Sequence, residues 1–228
     1  MAGVINIISN IPVANNTLKA NVTSGYQSNN QLRTFNANFA ANKNGFNGSV
    51  YTTIKAAGDY QNKYDGYVLN SKFNEQNWGG YAGYNSNWGF SHILLGNFDL
   101  KAGLVEGERD SLGRFIKVIT GGEKVAADAN DFKSSMPLIP YQHIRHFKIA
   151  TDNSIKIADY HVNFNVGWQQ NQREEFGNPD DVNERALFFD LKTLTYTSQL
   201  HFKEINGWKN SIGLNGMSQT NTNKGLEQ

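Results

Sequence analysis

The chain has no cysteine. That excludes disulfide frameworks and thiolate metal sites. Proline is scarce, at 4 in 228 residues, and no apolar run approaches the length of a membrane-crossing helix. The first residues, "MAGVINIISN", lack a basic n-region and a long apolar h-region, so no secretory signal is visible. Net charge is only +1, which argues against a nucleic-acid partner. What is present is asparagine in abundance, 22 glycines and 12% aromatics, with charged residues held to 18%. Such a composition suits strands better than helices.

The strands announce themselves by alternation. In "YHVNFNVGWQQ", Tyr160, Val162, Phe164, Val166 and Trp168 share one parity, and His161, Asn163, Asn165, Gly167 and Gln169 the other. Side chains alternate faces along a strand, so this is a ribbon with one apolar and one amide-rich side. The same ribbon recurs at Leu18–Tyr26, Phe35–Ala41, Phe46–Ile54, Trp78–Tyr84, Phe147–Ile149 and Trp208–Leu214, and less cleanly over 88–100. Over 187–202 the apolar parity slips from odd (Leu187, Phe189, Leu191) to even (Leu194, Tyr196, Leu200, Phe202). One extra residue near Thr193, a β-bulge, would produce that slip. No stretch sustains a 3.6-residue period, so the expected fold is all-β, an antiparallel up-and-down meander of about nine or ten strands with no long helix.

Tight-turn signals fall at "NKNG" (42–45), "NSNW" (85–88), "TDNS" (151–154) and "KEING" (203–207), with a first short hairpin at "SNN" (28–30). Longer polar connections at 58–68, 101–141 and 173–186 lie between them. In a meander every second connection falls at one end, so the sheet has a tight-turn end and a loop-rich end. Outer-membrane barrels have this asymmetry, and a sandwich has no reason to keep it. Lipid is therefore the expected neighbour of the apolar face. Trp78, Trp88, Trp168 and Trp208, with Tyr26, Tyr84 and Phe202, are expected at its interfacial margins.

Four stretches carry a resemblance. "GVINIISN" (3–10) resembles the end of the plug domain of TonB-dependent outer-membrane receptors. "LVEGERDSLGRF" (104–115), "QNQREEFGNPDD" followed by "LFFDLKTLTY", and "GWKNSIGLNGMSQTNTNKG" look like a Bacteroidetes-type branch of that family. The resemblance implies that 1–12 close a plug and that 13–228 form the first part of a larger transmembrane β-barrel in the cell outer membrane. The remaining barrel and plug, the TonB complex, the bilayer and a small nutrient would be partners. It implies uptake of a siderophore, cobalamin, haem or an oligosaccharide, with no enzyme activity and no cofactor. By the same resemblance the chain is expected to be part of a longer receptor, lacking a TonB box, most of the plug and the closing aromatic strand, and to transport nothing alone. A complete small outer-membrane barrel (adhesin or protease) and a soluble secreted carbohydrate-binding β-sandwich are the alternatives.

No set of residues combines a nucleophile, a base and an oxyanion hole. "HIRH" (143–146) places its histidines on opposite faces of a strand, which a single ion does not join. His161 and His201 read as side chains of the polar face or its rim. Glu174, Glu175, Asp180, Asp181 and Glu184 lack the spacing of a calcium loop. The longest connection, 101–141, is the expected ligand-facing element, with Glu106, Glu108, Arg109, Asp110 and Arg114 as its candidates.

Overall fold

Alternating apolar and amide residues give long strands wherever a turn residue does not interrupt them. The computed structural model describes residues 12–225, so the stretch resembling a plug end, 3–10, lies outside the described residues. In chain order the elements are β1 (Thr17–Gln27), β2 (Leu32–Lys43), β3 (Phe46–Ala57), β4 (Gln61–Asn62), β5 (Gly66–Tyr67), β6 (Phe73–Ser86) and β7 (Gly89–Gly103). They continue with β8 (Ile116–Val118), β9 (Lys124–Ala126), α1 (Ala129–Lys133), β10 (Tyr141–Ile157), β11 (Tyr160–Phe176), β12 (Leu187–His201) and β13 (Ser211–Lys224).

Nine of these form one antiparallel sheet in the order β1-β2-β3-β6-β7-β10-β11-β12-β13. This is the expected meander: each strand pairs with the next long strand in the chain. The remaining strands make two small ribbons, β4-β5 and β8-β9, inside long connections. Among the described residues, extensive contacts in the main sheet join only hydrogen-bonded neighbours, and no second sheet packs on either face. The two packed layers of a sandwich are therefore not found there.

The turns follow residue chemistry. Asn44 and Gly45 have φ of 53° and 88° and join β2 to β3. Asn206 and Gly207, at 53° and 81°, make a second such turn between β12 and β13, closed by reciprocal backbone bonds between Ile205 and Trp208. Two positive φ values in succession suit the twist of a hairpin and select Asn-Gly.

Two expectations fail. "TDNS" is not a turn; it lies inside β10, and the chain reverses at Ala158–Asp159. Its polar side chains serve the ladder instead. Thr151 Oγ1 accepts from the Val166 N–H at 3.1 Å, and the Asn153 N–H donates to Asn165 Oδ1 at 3.0 Å. Turn-forming residue types thus hold two strands together. The second failure is the bulge. Leu191, Lys192, Thr193 and Leu194 pair in unbroken register with Asn171, Gln170, Gln169 and Trp168. The parity slip marks a change of surface rather than an extra residue. Toward His201 the apolar residues lie on the face shared with Trp168. Toward Leu187 that face carries Asp190 and Lys192, and Phe189 and Leu191 sit on the other.

Most strands of the sheet have one apolar and one polar face, with β7 apolar on both (Ile93 and Leu95 on one side, Phe90, Leu94, Phe98 and Leu100 on the other), and paired residues share a face. The row Ala20, Phe39, Val50, Gly80, Leu95, Ile149, Trp168, Leu194 lies on the apolar face and crosses eight strands. Much of that face is uncovered: Leu18 is 75% exposed, Val50 60% and Phe164 47%. The opposite face carries Asn36, Thr53, Gln169, Thr193, Thr195 and Asn215. There Asn36 Nδ2 donates to Thr53 Oγ1 at 2.7 Å, and Gln219 Nε2 to Thr193 Oγ1 at 3.1 Å.

Candidate functional site

The connections 58–72, 104–140 and 177–186 lie at one end of the sheet, and they interlock there. The β1–β2 turn meets the 58–72 loop: the Gly58 N–H donates to Asn30 O at 2.8 Å, and Asn29 and Gln61 exchange two hydrogen bonds of 2.9 and 3.0 Å. The 58–72 loop meets the 104–140 loop: the Asp59 N–H donates to Phe132 O at 2.8 Å, and Tyr67 stacks on Phe132 with ring centroids 5.1 Å apart. The 104–140 loop meets the 177–186 loop where the Gly121 N–H donates to Asp180 Oδ1.

Two polar residues hold this cap. Asn70 Nδ2 donates to the carbonyls of Leu104, Leu138 and Pro140 at 3.1, 3.1 and 2.7 Å, and its Oδ1 accepts from the Leu138 N–H at 2.9 Å. One side chain therefore ties both ends of the 104–140 loop to the 58–72 loop. Lys72 and Asp59 form a fully buried ion pair at 3.2 Å. The Lys72 ammonium also donates to Asp131 O. Burial pushes the Asp59 carboxyl above its ordinary pKa, and Lys72 opposes that shift. Sequence alone does not expose these anchors. Asp59, Asn70, Lys72 and Asp131 are unremarkable loop residues until the sheet register brings their loops together.

The candidates in the long connection are largely committed to shaping it. Arg109 pairs with Asp65 at 2.7 Å, donates to Gly113 O at 2.8 Å and lies 3.8 Å over the Phe115 ring. The Asp110 carboxylate accepts from the backbone N–H of Leu112 and of Arg114, both at 2.9 Å, and from Arg114 Nε at 2.8 Å. The Arg114 backbone N–H leads in holding the Asp110 carboxyl below its ordinary pKa. Glu108 pairs with Lys124. Glu106 is exposed and has no ion-pair partner among the described residues. The crevice beneath Glu106 and Glu108, bounded by Asn70 and Phe115, measures about 20 Å³. That is room for a water and for nothing larger.

His143 lies on the apolar-face parity with Asp99 at 2.9 Å, and His146 lies on the other parity beside Asn171 at 3.3 Å. His161 and His201 oppose each other on the polar face. Among the described residues no group of three or more metal-binding side chains converges. The chemistry on offer is ion pairing and hydrogen bonding by a surface of mixed charge. No protein-family model matches the chain, and no curated protein matches it.

Proposed function

We propose that the sheet is a lipid-facing wall segment of an outer-membrane β-barrel, and that the interlocked loops form the extracellular, ligand-meeting end of a TonB-dependent nutrient receptor. One observation carries the membrane part: the apolar band runs obliquely across the hydrogen-bonded rows. Relative to the Ala20–Trp168 row, the band on β1 extends six residues toward the loop end, to Tyr26, and two the other way, to Leu18. On β11 it starts at Trp168 itself and extends eight residues toward the tight turns, to Tyr160. The band has shifted by six residues in six strand-to-strand steps. With about 3.3 Å per residue and about 4.8 Å between strands, that slope corresponds to a tilt of about 35°. The band's height normal to such a membrane is about 22 Å, close to the band of known barrels. A slab of lipid imposes a flat boundary on tilted strands; a protein core has no such requirement.

Aromatic rings mark both margins. At the loop-side margin Trp78, Phe147 and Trp168 follow one another, with centroids 6.4 and 6.1 Å apart. At the tight-turn margin lie Phe46–Tyr84 at 4.6 Å, Tyr84–Trp88 at 6.2 Å and Tyr160–Phe202 at 6.0 Å. Amphipathic rings favour such interfaces. Two polar residues within the band are bonded locally: Ser91 Oγ donates to Asn153 Oδ1 at 2.5 Å, and Asn153 Nδ2 to Phe164 O at 2.7 Å.

The receptor part rests on the resemblances at 3–10, 104–115, 170–196 and 207–225, and on the loop-rich end. In this reading the chain supplies wall and loops, and the plug, TonB complex and remaining strands complete the transporter. β1 and β13 have no further neighbour in the described sheet, and a sheet in lipid must be closed. The nutrient would be a siderophore, cobalamin, haem or an oligosaccharide. Two measurements test the reading. Brominated phosphatidylcholine should quench Trp78 and Trp168 in reconstituted protein, and solubility without detergent overturns the membrane part. In the receptor carrying this wall, deleting 106–135 should abolish uptake and spare membrane assembly. Uptake at normal rates overturns the ligand role.

A further inference from the structure

Beyond the loop-side aromatic margin, the apolar face turns basic. Arg33 stands directly opposite Tyr26, Arg145 two residues beyond Phe147, Lys192 two beyond Leu194 and Lys101 six beyond Leu95. All four share the parity of the apolar band. Arg185 joins them from the 177–186 loop, its guanidinium 4.9 Å from the Phe188 ring. The carboxylates at this level are Asp99, Glu174 and Asp190, and two of them lie beneath the cations. Glu174 is 3% exposed and receives both Arg145 and Arg185 at 2.7 Å, whose side chains are 41% and 50% exposed. Asp190 is 11% exposed under Lys192, which is 51% exposed. Arg33 and Lys101 have no ion pair among the described residues. At the tight-turn end the ion pairs, Lys203–Asp159 and Lys209–Glu204, are one to one, and Lys43 is the unpaired cation on the apolar-band parity among the described residues.

Two guanidinium groups on one buried carboxylate leave positive charge facing outward, with unpaired Lys101 on the neighbouring strand β7 and unpaired Arg33 further along the same margin on β2. Their position, just past a ring of interfacial aromatics, is where lipid phosphates lie. We propose that Arg33, Lys101, Arg145, Arg185 and Lys192 form a belt that binds the phosphate groups of lipid headgroups in the leaflet at the loop end. The belt rests on the membrane reading above. Two of its three acids are nearly buried, and Arg33, Arg185 and Lys192 are exposed, so the charge is complementary to anionic lipid and not to zwitterionic lipid.

The test uses the full chain reconstituted in phosphatidylcholine vesicles with trace spin-labelled phosphatidic acid or spin-labelled phosphatidylcholine, and reads the fraction of motion-restricted label. Phosphatidic acid should be preferred, each outward cation raising its relative association about fivefold at low salt. Arg33→Gln with Lys101→Gln should remove most of the preference. Those two side chains make no ion pair, so the loop cap should stay intact. Arg33→Lys should restore its share, and Lys43→Gln at the opposite end should change nothing. Equal restriction of both labels overturns the belt. Loss of the preference in excess inorganic phosphate, at ionic strength matched with chloride, assigns the site to free anions and also overturns it. Absence of any motion-restricted label overturns the membrane reading instead.

Discussion

The Lys72 ammonium lies 3.2 Å from the Asp59 carboxylate, and neither side chain has any exposure to solvent. Lys72→Met would leave Asp59 buried without a countercharge, which costs about 3–5 kcal/mol. The loss should appear in the loop cap, because Asp59 and Lys72 bond to Phe132 and Asp131 of the 104–140 loop. Limited proteolysis should then cut 104–140 while the main strands stay protected. Asp59→Leu with Lys72→Met should recover most of the loss, since removing both charges removes the desolvation burden. Unchanged protection in Lys72→Met would show that the pair is not the anchor.

Acid should loosen the same cap in a defined window. Asp128 caps α1, and the backbone N–H of Asp131, followed by that of Asn130, holds its carboxyl below the ordinary value. Asp110 is lowered in the same way, first by the Arg114 backbone N–H. A carboxyl lowered in the folded state stabilises it above its unfolded pKa, about 4, and that contribution is lost as pH falls through the lowered value. Burial raises the Asp59 carboxyl, so its protonation favours the folded state as pH falls. Hydrogen exchange should therefore quicken at 108–115 and 128–133 below about pH 4, with the main sheet unchanged. Asp128→Asn with Asp110→Asn should flatten that response.

The meander was readable because strands of this kind repeat every two residues, and the end-to-end asymmetry was readable from connection length. Two errors share a cause. Thr151, Asp152, Asn153 and Ser154 look like a turn because their residue types bond to backbone, and Thr151 and Asn153 do so here across strands. The Leu191–Leu194 slip looks like a bulge because alternation reports which face is apolar, not the register of hydrogen bonds. Where the band ends, the apolar parity reverses and the ladder does not. The loop cap was not legible. Asn70 reaches Pro140 across 70 positions, and only the assembled sheet brings those residues together.

The two Asn-Gly turns differ in crowding, and that difference is measurable. A Cβ on Gly45 would stand 2.3 Å from Asn85 O, whereas one on Gly207 meets nothing within 4 Å. Both have positive φ, at 88° and 81°. Gly207→Ala should cost about 1 kcal/mol through φ strain alone. Gly45→Ala should cost clearly more, because Asn85 is held there by its N–H to Gly45 O at 2.9 Å and by Asn47 at 2.6 Å. Thermal unfolding in detergent gives the comparison. Equal losses would mean that the β3–β6 end yields to the added carbon.

The sharpest test of the lipid face uses one strand and three positions. Phe164 lies midway between Trp168 and Tyr160, so a tilted β11 puts it near the middle of the bilayer. Asn165 is its neighbour on the opposite face, and Gln170 lies on the same face, two residues past Trp168. Arginine at the midplane of a lipid face costs about 2–4 kcal/mol, and about 0–1 near the interface. Phe164→Arg should thus lose about 2–4 kcal/mol in folding into lipid vesicles, beyond the loss given by Phe164→Ala. Gln170→Arg should lose little. That site already faces Asp190, to which Gln170 donates at 2.6 Å, and the new guanidinium can pair with it. Asn165→Arg gives up the bond from the Asn153 N–H, about 1 kcal/mol, but adds no lipid penalty, since its face carries amides and hydroxyls. If Phe164→Arg and Asn165→Arg cost the same, the two faces meet the same medium, and the slanted band is not a lipid boundary.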